Sequence, residues 1–156
     1  MKYIIFDCDG TLIDSLSRNY PLFPGVRELI VELAQENKLY VWTARDRTST
    51  LRILTENGIN QYFEALCTVS DAAPKPSVAG LLMLVGSVPK DSICVIGDSS
   101  NDMLGGKCFG VLSIGAVWNR EANATFLKDA GADFIVSHPS ECSKLVELKL
   151  KGDKHV

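Results

Sequence analysis

No stretch of this chain approaches the ~20 consecutive apolar residues that a membrane-spanning helix needs, so a membrane protein of that kind is excluded. The opening Met1-Lys2-Tyr3-Ile4-Ile5-Phe6 runs into acids where a signal peptide would continue its apolar core, and no secretory leader is expected. Basic residues number 16 but form no block able to track a phosphate backbone, and the net charge of -3 gives no general attraction to polyanions, which disfavours nucleic acid as a partner. The five cysteines are scattered, odd in number and without a C-x-x-C pair. That pattern excludes a disulfide scaffold and a thiolate zinc site, and it suits reduced thiols in a cytoplasm. His138 and His155 have no partner pattern, so loop and tail positions are expected for them. There is no internal repeat, low-complexity tract or linker, and residues 1–156 read as one domain able to bury ~70% of its unfolded surface.

What is present is alternation. Short apolar runs at Tyr3-Phe6, Leu39-Trp42, Ala65-Val69, Ile93-Ile96, Val111-Ile114 and Phe134-Val136 read as strands buried on both faces. Amphipathic helices fall between them. Val26, Leu29, Ile30 and Leu33 mark the first, running to about Asn37; Asp46 is the expected N-cap of the second, which stops near Gly58. Ser77 is expected to cap a third, with Gly86 as its stop, and a short helix passes through Met103 and Leu104. A fifth spans roughly Ala122 to Ala130 and a last one follows Pro139, before a charged tail from Lys149 expected to fray. Alternating strands and helices imply an α/β fold with a doubly wound parallel sheet in three layers, α/β/α.

In such a sheet ligands bind beyond the carboxyl ends of the strands. Four segments end there in polar groups: Asp7 and Asp9, Thr43, Lys75 between Pro74 and Pro76, and Asp98 with Asp102. Carboxylates gathered at one point repel unless a divalent cation, of the oxygen-loving kind such as Mg²⁺, sits among them. A lysine and a hydroxyl beside them supply donors for an anion. Acids, metal, lysine and hydroxyl together are equipment for phosphoryl transfer.

With those residues in hand the sequence resembles the haloacid dehalogenase (HAD) superfamily, in particular its phosphoglycolate-phosphatase-like phosphatases. Asp7-Cys8-Asp9-Gly10-Thr11-Leu12-Ile13-Asp14-Ser15 is similar to the first family motif and Val41-Trp42-Thr43 to the second. Lys75-Pro76 is similar to the third and Gly97-Asp98-Ser99-Ser100-Asn101-Asp102 to the fourth. The resemblance implies Asp7 as a nucleophile forming an aspartyl-phosphate and Asp9 as general acid and then base, turned toward the leaving group where it can hold a proton. It implies Mg²⁺ bound by the Asp7 carboxylate, the Asp9 backbone carbonyl and Asp98. Thr43 and Lys75 would hold the phosphate, and Asp102 either orients Lys75 or a metal-bound water, or caps the short helix. Arg45 and Arg47 lie on the loop facing the site, where either could meet a distal acid of the substrate or stay solvated; Trp42 reads as core.

The chain departs from the family pattern in one respect. Relatives with a large helical cap carry it between the first motif and the Pro24-Gly25-Val26 segment, and here only about Leu16 to Phe23 lies between. A capless member is expected, acting on a small phosphorylated metabolite, with a second subunit of the same chain closing the site. A phosphatase of phosphoproteins or nucleic-acid ends, and a non-catalytic regulatory module on the same fold, are the alternatives.

Overall fold

The strand β1 (Tyr3–Phe6) lies at the centre of the molecule, in a computed structural model that describes residues 1–152. It pairs in parallel with β2 (Lys38–Trp42) on one side and β4 (Ile93–Gly97) on the other. β3 (Phe63–Cys67) extends the sheet beyond β2, while β5 (Leu112–Ala116) and β6 (Phe134–Val136) extend it beyond β4, giving six parallel strands in the order β3-β2-β1-β4-β5-β6. The chain winds outward through β2 and β3, then returns to the middle and winds the other way. The reversal falls between β1 and β4, and there the loops after the two strands diverge and leave a crevice.

Period-two alternation sorts the sheet's side chains onto two cores. Ile4 and Phe6 join Val41, Cys94 and Ile96 on one face, under α1 (Val26–Ala34), α2 (Arg47–Glu56) and α6 (Ser140–Lys149). Tyr3 and Ile5 join Tyr40, Trp42 and Val95 on the other, under α3 (Ala79–Val85) and α4 (Ser100–Phe109). α5 (Ala124–Asp129) adds Leu127 to a smaller cluster with Met103. The five cysteines are all free, and four are buried in these cores.

Several expected boundaries move. β3 begins and ends two residues earlier than the apolar run; it stops at Cys67 because Asp71 takes the Thr68 N–H (2.9 Å) and hydroxyl (2.7 Å) and bends the chain into a loop. α3 is capped by no side chain: Val78 occupies its N-cap, while Ser77 sits one residue earlier and accepts from the Ala79 N–H at 3.2 Å. α4 is three turns long rather than short, and α5 starts at Ala124 because the Asn123 side chain accepts from the Phe126 N–H. Asp46 caps α2 as expected, accepting from the Ser49 N–H at 2.9 Å. The tail does not fray where it is described: Leu150 is buried and the Lys151 N–H donates to the Asp91 carbonyl. His138 lies in the loop before α6, and His155 lies outside the described residues.

Between β1 and α1 the chain makes turns and two isolated bridges, Asp9 with Ile13 and Ile13 with Leu22, and no helix. No cap of helices therefore covers the crevice among the described residues. Also among them, no helix is long and apolar enough to cross a membrane.

Candidate active site

Strand register decides which side chains meet. Phe6 pairs with Ile96 on β4, and the Asp7 N–H continues the ladder to the Ile96 carbonyl at 3.0 Å, so Asp7 and Asp98 leave adjacent strands at the same level. On the other side Thr43 follows Trp42, its N–H bonded to the Cys67 carbonyl at 2.9 Å. Cys8 is buried in the core while Asp7 and Asp9 face outward, the alternation expected of an extended chain. Asp7, Asp9, Thr43, Lys75 and Asp98 line one cavity of about 240 Å³.

Lys75 arrives on the loop after β3 with its side chain only 5% exposed. Its ammonium donates to Asp7 Oδ1 at 2.9 Å and to Asp102 Oδ1, and it lies 4.8 Å from the centre of the Trp42 ring. Trp42 is thus core, as expected, and also the apolar floor under the cation. Gly105 lets α4 approach that floor, since a Cβ there would collide with the Trp42 ring. Asp102 is fully buried and does two jobs: Oδ2 accepts from the Ser99 N–H and hydroxyl in a capping box at the start of α4, and Oδ1 holds Lys75. The contact to Lys75 and the capping box are thus made by the same carboxylate.

Asp98 is held on both oxygens. Thr11 Oγ1 donates to Oδ1 at 3.1 Å and Asn119 Nδ2 to Oδ2 at 2.8 Å. Asn119 follows β5 and has no place in the expected motifs. Its Oδ1 accepts from the Glu121 and Ala122 N–H groups, both at 2.8 Å, which fixes the amide and leaves Nδ2 to Asp98 and the Gly10 carbonyl. Beside it the Trp118 indole N–H donates to the Thr11 carbonyl at 2.8 Å. Gly10 has φ of 82°, and a Cβ there would strike the Asp98 carboxylate, so the turn of the first motif requires glycine twice over.

The arginines depart from expectation. Arg45 binds Asp9 bidentately, Nη2 to Oδ1 at 2.6 Å and Nε to Oδ2 at 3.0 Å, and Nη1 reaches Ser49. Arg47 turns away from the cavity, clamping Asp71 and the Leu66 carbonyl and so bracing the loop that carries Lys75. Thr43 Oγ1 accepts from the Arg45 N–H at 3.1 Å, which leaves its own proton to donate into the cavity.

The electrostatics follow from burial. Asp7 is pushed up to about 7, chiefly by burial and against the pull of Lys75. Asp102 is pushed up to about 6, by burial and then by the charge of Asp7. Burial acts to raise Asp9 also, but hydrogen bonds from Arg45 and Ser15 outweigh it and hold Asp9 below the ordinary carboxylate range. The expectation that Asp9 readily holds a proton therefore fails while Arg45 grips it. Asp7, Asp98 and Asp102 bring one oxygen each within 4.8 Å of one another, facing a single ammonium. That excess of negative charge on hard oxygen donors fits a divalent cation of the magnesium type.

The chain matches the model of the haloacid dehalogenase-like hydrolase family over residues 16–116. It is 27% identical over 113 residues to the pyrophosphatase PpaX of Bacillus pumilus, covering 70% of this chain and 51% of that protein. It is 26% identical over 131 residues to the phosphoglycolate phosphatase of Vibrio parahaemolyticus, covering 81% of this chain and 57% of that protein. The chain thus spans about half the length of the curated relatives it matches. Among solved structures, the HAD hydrolase YfnB of Bacillus subtilis, in a magnesium-bound crystal form, superposes with a TM-score of 0.81 over 94% of this chain and 99% of that one. Its sequence identity of 14% supports a shared fold alone.

Proposed function

Since the chain belongs to the haloacid dehalogenase-like hydrolase family, we propose that it is a Mg²⁺-dependent phosphomonoester hydrolase with Asp7 as its nucleophile, acting on a small phosphorylated metabolite. The observation that carries this reading is the buried Asp7 beside Asp98 at the sheet's switch point, with Lys75 at 2.9 Å and, among the described residues, no helix between β1 and α1. The same reading takes residues 1–156 as one hydrolase domain.

An Asp7 carboxylate oxygen attacks phosphorus and the bond to the leaving oxygen breaks, giving an aspartyl-phosphate. Once Arg45 has released it, Asp9 takes up a proton from solvent and gives it to the leaving oxygen, then takes a proton from water as that water attacks phosphorus and frees Asp7. Thr43 and Lys75 donate to the phosphate oxygens, and Asp102 positions Lys75. Mg²⁺, held by Asp7, the Asp9 carbonyl and Asp98, would neutralise charge on the phosphate. Phosphate should be released from an aryl phosphate with Mg²⁺, stop on chelation, resume on readdition, and give way to a beryllofluoride adduct on Asp7. A Mg²⁺-loaded chain that neither turns over any phosphomonoester nor forms the adduct is not this enzyme.

Asn119 is a positioning residue in this scheme, because it aims Asp98 without touching substrate. Asn119→Ala should lower Mg²⁺ affinity by about 10- to 100-fold in a calorimetric titration, the range seen when the hydrogen-bond partner of a metal ligand is removed. Asn119→Asp should lower it further by setting a carboxylate against Asp98. Affinities equal to the wild type would remove Asn119 from the site.

A further inference from the structure

Beside the catalytic cavity lies a second recess, lined by Ser15, Leu16, Arg18, Tyr20, Arg52 and Glu56 among others, with a volume of about 600 Å³. Its walls are the short segment standing where a cap would begin and the outer face of α2. Among the described residues, neither the Arg18 nor the Arg52 side chain has a hydrogen-bond or ion-pair partner. Two exposed guanidiniums thus share one concave surface with a single carboxylate, Glu56.

Arg45 joins this recess to the chemistry. One side of its guanidinium holds Asp9, and its face lies 5.1 Å from the centre of the Tyr20 ring that lines the recess. Ser49, which accepts from Arg45 at 3.3 Å, continues along the helix to Arg52 and Glu56 at i+3 and i+7, so these groups share one stripe of α2. Tyr20 is delivered by an unusual backbone: Asn19 and Tyr20 both have positive φ, 66° and 49°, a conformation that side chains with a Cβ rarely adopt. Strain of that kind persists where the surroundings over-determine it, and it clusters at ligand-binding loops.

We propose that this recess is a second anion subsite, so that the substrate is a phosphomonoester carrying a further carboxylate or phosphate on its leaving-group side. The inference rests on the phosphatase reading for the first phosphate and deepens it by naming the class of substrate. Arg18 and Arg52 receive the distal anion, and Arg45 gains in that anion an alternative partner to Asp9. Planar guanidiniums suit both carboxylate and phosphate, each by paired hydrogen bonds. A substrate lacking the second anion leaves Arg45 on Asp9.

The test uses the whole Mg²⁺-loaded chain and non-hydrolysable probes. Calorimetry compares propylphosphonate with phosphonobutyrate and with propane bisphosphonate. At least one doubly anionic probe should bind about tenfold tighter than propylphosphonate, and which one does so tells carboxylate from phosphate. The preference should collapse to about twofold or less in Arg18→Gln/Arg52→Gln, whose substituted positions are both exposed, and also in Arg45→Gln. Equal binding of all three probes by the wild type, or a preference that survives in the double variant, overturns the subsite. Aryl phosphate turnover separates the two claims. Turnover without a preference removes the subsite and keeps the phosphatase; a preference without turnover keeps the anion site and removes the phosphatase.

Discussion

Asp7→Asn is expected to lower phosphate release by at least about four orders of magnitude while leaving the protein folded. The substitution keeps shape and removes only the attacking oxygen's charge, and losing a nucleophile costs enzymes of this type about that much or more. Folding should survive because Asp7 is a costly charge to bury: burial, against the pull of Lys75, lifts it to about 7, so its neutral form is readily accepted in the metal-free protein. The sign of the pH dependence follows. A carboxyl whose folded value lies above its unfolded value of 3.8 contributes stability that is present at low pH and is lost as pH rises through about 7. Metal-free wild type should therefore lose up to a few kcal/mol between about pH 4 and pH 8, part of it through Asp102, which is raised to about 6 in the same way. Asp7→Asn deletes the larger share of that loss, so its urea midpoint should fall less steeply over the same range. Mg²⁺ should stabilise the wild type much more at pH 8 than at pH 5.5, and the variant little at either. Turnover by the variant within tenfold of wild type would mean that another group attacks phosphorus.

The convergence behind that prediction could be read from the chain because it needs only strand ends. Asp7, Thr43 and Asp98 directly follow β1, β2 and β4, and a parallel sheet puts all three strand ends on one edge whatever the loop details. Lys75 was legible for a related reason, since prolines on both sides confine its loop beside the same edge. What could not be read depends on reach across the tertiary structure. Arg45 could have pointed to solvent, and only the fold sets Asp9 within 2.6 Å of it, 36 positions earlier. Asn119 shows one local sign, the turn it makes with the Glu121 and Ala122 N–H groups, which says nothing of Asp98, 21 residues away. The shifted end of β3 has the same origin: Thr68 and Val69 suit a strand by composition, but Asp71 takes the Thr68 N–H and hydroxyl and turns the chain into a loop.

Lys75→Met is the substitution expected to damage stability most. The lysine stem is buried against Trp42 and methionine can fill it, so the loss is one of charge rather than volume. Asp7 and Asp102 would then face each other with Asp98 beside them and no cation among them. Breaking a buried pair by removing one partner costs about 3–5 kcal/mol, because the remaining charge stays desolvated. At pH 8 the variant should lose roughly that much in urea unfolding. At pH 5.5 it should lose far less, since Asp7 and Asp102, already lifted to about 7 and about 6 with the lysine present, rise further without it and are neutral there. Mg²⁺ should restore more stability to the variant at pH 8 than it adds to the wild type, because the ion then supplies the only positive charge in the cluster. Activity should still fall by about 10²- to 10³-fold with metal saturating, as when a preorganised donor to a developing oxyanion is lost. A variant equally destabilised at both pH values would show that Lys75 acts by packing on Trp42, and the account of the site as carboxylates balanced by one buried ammonium would have to be abandoned.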